Sequence, residues 1–270
     1  MNIYSFKYTP LRFIFNNVTG ALPVTNVTFS STTSVTPVKS IGKRQAYYNQ
    51  VTNDVVIHNV SFQYNILNDD PIKPLITDMK NNLTDVAPIC DVDIGGLRYT
   101  GCFLDGFSFS VAPNAIVNAQ ASFFTFNPPS GQIGSYISGQ DVNANFLHGS
   151  RTSMSLTPGS YESQAESYDD IFGISYNFKP SYLPIKVLNY RRPKTVKFNG
   201  ASEEFEMNES LYRRILYTGE SRNVNFSLEA ICCPGTSYSV EISGAQNVNI
   251  EGTSAVDGVT TTRRRFTKFY

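Results

Sequence analysis

"GCFLDGFSFSVAPNAIVNAQASFFTF", Gly101 to Phe126, is the stretch that decides the fold class. In its first limb Phe107, Phe109 and Val111 share one parity, while Ser108 and Ser110 share the other. That is the period of a strand with one apolar and one hydroxyl face. The loop "APNAIVN" then returns the chain through "AQASFFTF", so the stretch predicts a long β-hairpin. Just upstream, "PICDVDIGGLR" places another strand before a Gly95–Gly96 turn. Counting back from that turn puts Cys90 near Gly101 rather than opposite Cys102.

Moving outward, "DVVIHNVSFQYN" alternates Val56, His58, Val60, Phe62 and Tyr64 against a mostly polar parity, and predicts a second half-buried strand. The clearest helix signal follows it in "DDPIKPLITDMKNNL". Asp69 or Asp70 caps, Pro71 suits the first helical position, and Ile72, Leu75, Ile76 and Met79 fall on one face. Earlier, "RFIF" reads as a strand, while "TFSSTTSVTPVKS" reads as an extended arm or loop. The fold class expected is mainly β, a β-sandwich or barrel with one or two flanking helices.

Composition agrees with that class. Phe and Tyr are plentiful, Trp is absent, and Val, Thr, Ser and Asn fill much of the remainder. Charged residues make up 16% and balance to a net charge of zero, so no overall basic field attracts nucleic acid. The start "MNIYSFKYTPLRFIF" lacks the basic and unbroken apolar regions of a signal peptide, and no apolar run reaches membrane-spanning length. Cys90, Cys102, Cys232 and Cys233 lack metal-site spacing and are expected as reduced structural thiols, in keeping with folding in a cytoplasm.

Residues 129–170 are rich in Ser, Gly, Pro and Asn and read as a linker or long loop, which at this length is either functional or partly strand-forming. It separates a first β domain with an N-terminal arm, 1–128, from a second, 171–270. The second opens on an echo. "ISYNF" from Ile174 resembles "VSFQY" from Val60, and Pro184-Ile-Lys repeats Pro71-Ile-Lys. Two readings follow, a tandem duplication or two unlike β-rich domains. "NESLYRRILYTGES" predicts a short helix, and the end "VDGVTTTRRRFTKFY" is expected to pair with "NVNIEG".

The search for chemistry yields little. His58 sits inside an alternating strand, the place of a core or interface histidine. His148, in "FLHGS", has no neighbouring carboxylate pair or cysteine. "DVDIGG" resembles the start of a calcium loop but lacks its later acidic ligands. No nucleophile elbow, HExxH or phosphate-cradling loop occurs. No catalytic, cofactor-binding or metal residue is therefore assigned, and a non-enzymatic, structural role is expected.

The hairpin at 101–126 resembles the long hairpin of bacteriophage tail tube proteins. "FGISYNFKPSYLPIKVLNYRRPKTVKFNG", with its strand, Arg-Arg-Pro corner and second strand, resembles the opening strands of related tail proteins. The resemblance covers two stretches of some 25–30 residues. It implies two tandem tail-tube-like β domains in a structural virion protein. It also implies self-association into stacked rings around a channel that DNA passes only transiently, trimeric if the domain is duplicated and hexameric otherwise. Partners would be other tail proteins (sheath, terminator or baseplate), with assembly in the host cytoplasm and final location in the virion tail. Arg263, Arg264 and Arg265 would then be expected to point mostly away from the channel. Alternatives are another tail component of similar fold (distal tail, baseplate hub or neck adaptor) or a carbohydrate-binding β-sandwich, which the missing Trp disfavours.

Overall fold

The 101–126 stretch forms the hairpin its alternation predicts, at the middle of a large antiparallel sheet. The computed structural model describes residues 11–33, 35–38, 49–52, 55–81, 86–132, 146–157, 166–168, 171–188, 190–210, 221–230, 237–254 and 260–270. In chain order the elements are β1 (Leu11–Phe15), β2 (Val18–Leu22), β3 (Val24–Thr32), β4 (Val35–Val38), β5 (Asn49–Thr52), β6 (Ile57–Asn65) and α1 (Lys73–Asn81). Then follow β7 (Cys90–Ile94), β8 (Leu97–Val111), β9 (Asn118–Thr125), β10 (Leu147–Thr157) and β11 (Glu166–Tyr168). The last are β12 (Ile171–Ile185), β13 (Thr195–Ser210), β14 (Ser221–Ala230), β15 (Ser237–Ser254) and β16 (Thr260–Phe269). The protein is mainly β, with a single helix among the described residues.

Strand order follows one succession twice. From residue 11 to 125 it runs β2-β1-β7-β8-β9-β6-β3, and from 147 to 269 it runs β11-β10-β14-β15-β16-β13-β12. Every neighbouring pair is antiparallel. Irregularities in register recur at matching places. The β3–β6 ladder slips between Val24 and Asn26, opposite Tyr64 and Gln63; β12–β13 slips between Ile171 and Gly173, opposite Glu209 and Asn208. Cys90 to Val92 opposite Cys102 and Tyr99 is matched by Arg222 to Val224 opposite Ala245 and Ile242. Leu104 to Gly106 opposite Phe123 and Ser122 is matched by Asn247 to Asn249 opposite Phe266 and Arg265. Bulges bend and twist a strand where they occur, so both runs bend at the same steps.

The bend makes two layers. The first part of β8 pairs with β7, the later part with β9. This folds the β1 and β7 limb back over the β9 and β6 limb. Phe13 of β1 thus lies 5.7 Å from Phe123 of β9, which stacks on Phe62 of β6. All three rings are about 1% exposed. One buried cluster continues from these through Phe107, Tyr176 and Phe178 to Phe205 and Met207.

Several sequence expectations need amendment. Cys90 stands directly opposite Cys102, because the bulge at Thr100 and Gly101 adds a residue to β8; Gly101 adopts φ 61° and donates its N–H to Asp91. Both cysteines are free thiols, while Cys232 and Cys233 lie outside the described residues. "TFSSTTSVTPVKS" is not simply an arm, since Thr28–Thr32 pairs with β6 and Val35–Val38 with β5. The segment 129–170 holds β10 and β11, and β10 pairs with β14 far along the chain. The partly strand-forming reading of this segment is the one the structure bears out. The echoed segments fall on β6 and β12, which occupy different places in the two successions; β12 answers to β3, and β13 to β6. The helix expected from "NESLYRRILYTGES" falls on residues outside the described ones, apart from the end of β13.

Helix α1 begins as its caps direct. Asp70 accepts the Ile72 N–H at 2.8 Å and the Tyr64 hydroxyl at 2.7 Å, and Leu75, Ile76 and Met79 are buried. Gly20 lets the turn approach, since a Cβ there would lie 2.3 Å from Pro71. Burial pushes the Asp70 carboxyl up to about 6, against the opposing pull of Tyr64, Ile72 and Lys73. Its stabilising contribution is therefore full below about pH 4 and lost as pH rises through about 6, a loss on the order of 3 kcal/mol. Urea unfolding from pH 4 to 7.5 should show this decline in the natural chain. Asp70→Asn, whose amide still reaches Tyr64 and Ile72, should flatten it.

Candidate functional site

The organised features of the described structure are a polar sheet face, open strand edges and one buried charge cluster.

The polar face follows from period-2 alternation. Phe107, Phe109, Tyr176 and Phe178 turn into the core, so Ser108, Ser110, Ser175 and Asn177 turn away from it. With Gln63, Asn118 and Gln120 they line an open concavity of roughly 570 Å³. Its hydroxyls and amides share the surface with Phe109, Ala119 and Tyr176, so it offers hydrogen bonds without a strong field. Glu206 lies opposite both Ser175 and Arg265, which puts Arg265 on this same face. Its charge is paired, the guanidinium being 3.2 Å from Glu206.

Strands β2 and β11, at the ends of the strand order, have one partner each among the described residues, and two further open edges belong to β3 and the later part of β15. Strand β3 pairs with β6 on one side and, among the described residues, with nothing on the other. Phe29 near its middle is 48% exposed, a large apolar ring on an unpaired edge. The later part of β15 likewise has β16 on one side and no second partner among the described residues. Exposed edges are a template for pairing with another chain. At the matching places inside the chain, β8 and β12, the two edges meet each other. There Tyr176 is 2% exposed and stacks on Phe109 at 4.9 Å.

Near that junction lies the charge cluster. Glu203 is fully buried and accepts the hydroxyls of Tyr176 and Tyr270, each at 2.5 Å, and the ammonium of Lys80. Burial lowers the Lys80 pKa, and Glu203 opposes that shift. Burial first, then Glu203, raises the Tyr270 pKa. Lys80 also lies 5.7 Å above the Tyr176 ring. The cluster ties α1 to β12, β13 and Tyr270.

The sequence-marked residues scatter. His58 is half-buried in β6, its Nδ1 2.7 Å from the Ser31 hydroxyl, with its pKa lowered by burial and then by Arg192. His148 sits in β10, bridged to Ile116 rather than in a free loop. Asp91 and Asp93 of "DVDIGG" bind the N–H groups of Gly101 and Gly96, which is turn chemistry. Among the described residues no group of three or more His, Cys, Asp or Glu side chains could hold a metal. No helix there is long and apolar enough to cross a membrane. Sequence reading missed Glu203, because a glutamate in "SEEFEM" on an alternating strand looks like any solvated charge. Searches against protein-family models and curated proteins match nothing for this chain.

Proposed function

We propose that the protein is a structural ring-forming subunit of the tail tube kind, built from two tandem copies of one β-sandwich unit. The repeated strand order, with its three shared register slips, is the observation that carries this reading. Two unrelated domains have no reason to bulge at matching steps. The first unit spans about 11–125 and the second about 147–269, and the β4–β5 hairpin of the first answers to the outer ends of β12 and β13, where Tyr182–Ile185 pairs with Thr195–Phe198.

The join between the units supports a role in assembly. They do not merely neighbour each other; β8 and β12 pair edge to edge into a continuous sheet. A unit that joins its copy this way is suited to joining further copies, and closure into a ring removes the exposed edges. The mostly neutral polar face would line the lumen, where weak, even contact lets DNA slide rather than bind. The same neutral balance leaves little long-range repulsion between subunits. No enzyme, cofactor or metal is part of this proposal, and the virion tail would be its location.

Negative-stain imaging of the purified chain at high concentration tests it. Stacked rings or tubes are expected. Single rings that never stack would favour an adaptor such as a distal-tail or neck protein. A strictly monomeric species would contradict the proposal.

A further inference from the structure

We infer that the open edge of β3 pairs antiparallel with the later part of β15 of a second copy, in the register that the chain already uses between β12 and β8. This rests on the two-unit reading above and goes beyond it by naming the edges and the alignment. Strand β12 occupies the place of β3, and β8 the place of β15. The internal junction is therefore a template for the external one.

The shared slips fix the alignment. Ile174 lies opposite Met207, and Val27 opposite Phe62; Met207 and Phe62 lie opposite Arg264 and Ala121, which hold matching places. Val27 thus stands where Ile174 does. On the other side, Gly106 and Asn249 are the first paired residues after the same slip, so Val111 corresponds to Ser254. Since Ile174 lies opposite Val111, Val27 would lie opposite Ser254 of the second copy, Thr28 opposite Thr253, and Phe29 opposite Gly252.

Two observations favour this occupant. Phe29 holds the place of Tyr176, a ring that the β8 edge covers; in the single chain Phe29 stays 48% exposed. Its partner position, Gly252, has no side chain, which leaves room for an aromatic ring to lie across the strand. The contact uses different edges on the two copies, so it is head-to-tail. Such contacts propagate and close into a ring when the rotation permits. Around that ring β8–β12 junctions within chains would alternate with β15–β3 junctions between them.

Disulfide trapping tests the register. Residues directly opposite in an antiparallel pair have Cα atoms about 4.5–5.5 Å apart, within disulfide reach. The double variant Thr28→Cys/Thr253→Cys should give a reducible ladder of oligomers under mild oxidation, judged against the unsubstituted chain. Thr28→Cys/Glu251→Cys, two residues out of register, should cross-link at least tenfold more slowly. Thr28→Cys alone should give no dimer beyond background. A dimer from that single variant would mean a symmetric β3–β3 contact and would overturn the inference, as would faster trapping of the out-of-register pair. Rings seen by negative stain without Thr28–Thr253 trapping would overturn the inference while leaving ring assembly standing. Neither rings nor trapping would overturn both.

Discussion

Replacing Glu203 by leucine while Lys80 stays lysine is expected to cost about 3–5 kcal/mol of unfolding free energy. Glu203 has no exposed surface, and its carboxylate gathers Lys80, Tyr176 and Tyr270. The substitution strands a mostly buried ammonium and two hydroxyls together, each of which loses the acceptor that offset its desolvation. Lys80→Met alone should be comparably damaging, because it leaves the carboxylate buried without its cation. The double variant Lys80→Met/Glu203→Leu should recover much of the loss, since a well-packed apolar pair can match a buried ion pair. Chemical denaturation of all four chains closes the cycle. A double variant as unstable as the summed singles would show that the two side chains act independently, against the geometry.

Phe123→Ala is the second large effect, again about 3–5 kcal/mol. This ring is about 1% exposed, stacks on Phe62 and meets Phe13 from the opposite layer. Its removal opens a cavity at the one place where β1, β6 and β9 converge, and three strands of rigid backbone leave little room for collapse. Phe29→Ser, on the open edge of β3, should by contrast cost the isolated chain only about 1 kcal/mol, since the ring is about half exposed. It should instead weaken association. Equal losses from the two substitutions would mean that Phe29 belongs to the core.

What was legible in the sequence follows from what period-2 and period-3.6 patterns encode. The β8–β9 hairpin and helix α1 announce themselves, because Phe and Ser alternate in one and Ile72, Leu75, Ile76 and Met79 share a face in the other. The pairing of strands distant in the chain was not legible, since any alternating strand offers the same ladder. The "ISYNF" and "VSFQY" echo shows the hazard, as the likeness joins strands from different places in the two units. In the strand order, Ile174-Ser-Tyr-Asn holds the place of Val27-Thr-Phe-Ser, which shares its aliphatic, hydroxyl, aromatic and polar classes in turn. Gly244 likewise stands at the bulge that matches the one at Gly101. Bulges also misled the count that put Cys90 beside Gly101. In β10, "LHGSRTSMSLT" alternates too weakly to stand out from its Ser-rich surroundings.

The polar face shows the limits on function. Its Ser, Asn and Gln residues come from four strands, and only topology brings them together. Their identity was readable in advance, but their convergence was not. Arg265 and Glu206 are similar, a pair created by the β13–β16 ladder from segments that read separately as a basic end and an acidic strand.

In the proposed assembly each chain contributes two like units to a closed ring of sheets. Cryo-electron microscopy of the assembled chain checks this. Three chains per ring should appear as six similar units about the axis, with β15 of each chain continuing onto β3 of the next and the Ser108–Asn177 face toward the channel. A chain that stays monomeric at all concentrations, or a ring whose subunits meet without pairing these edges, would contradict it.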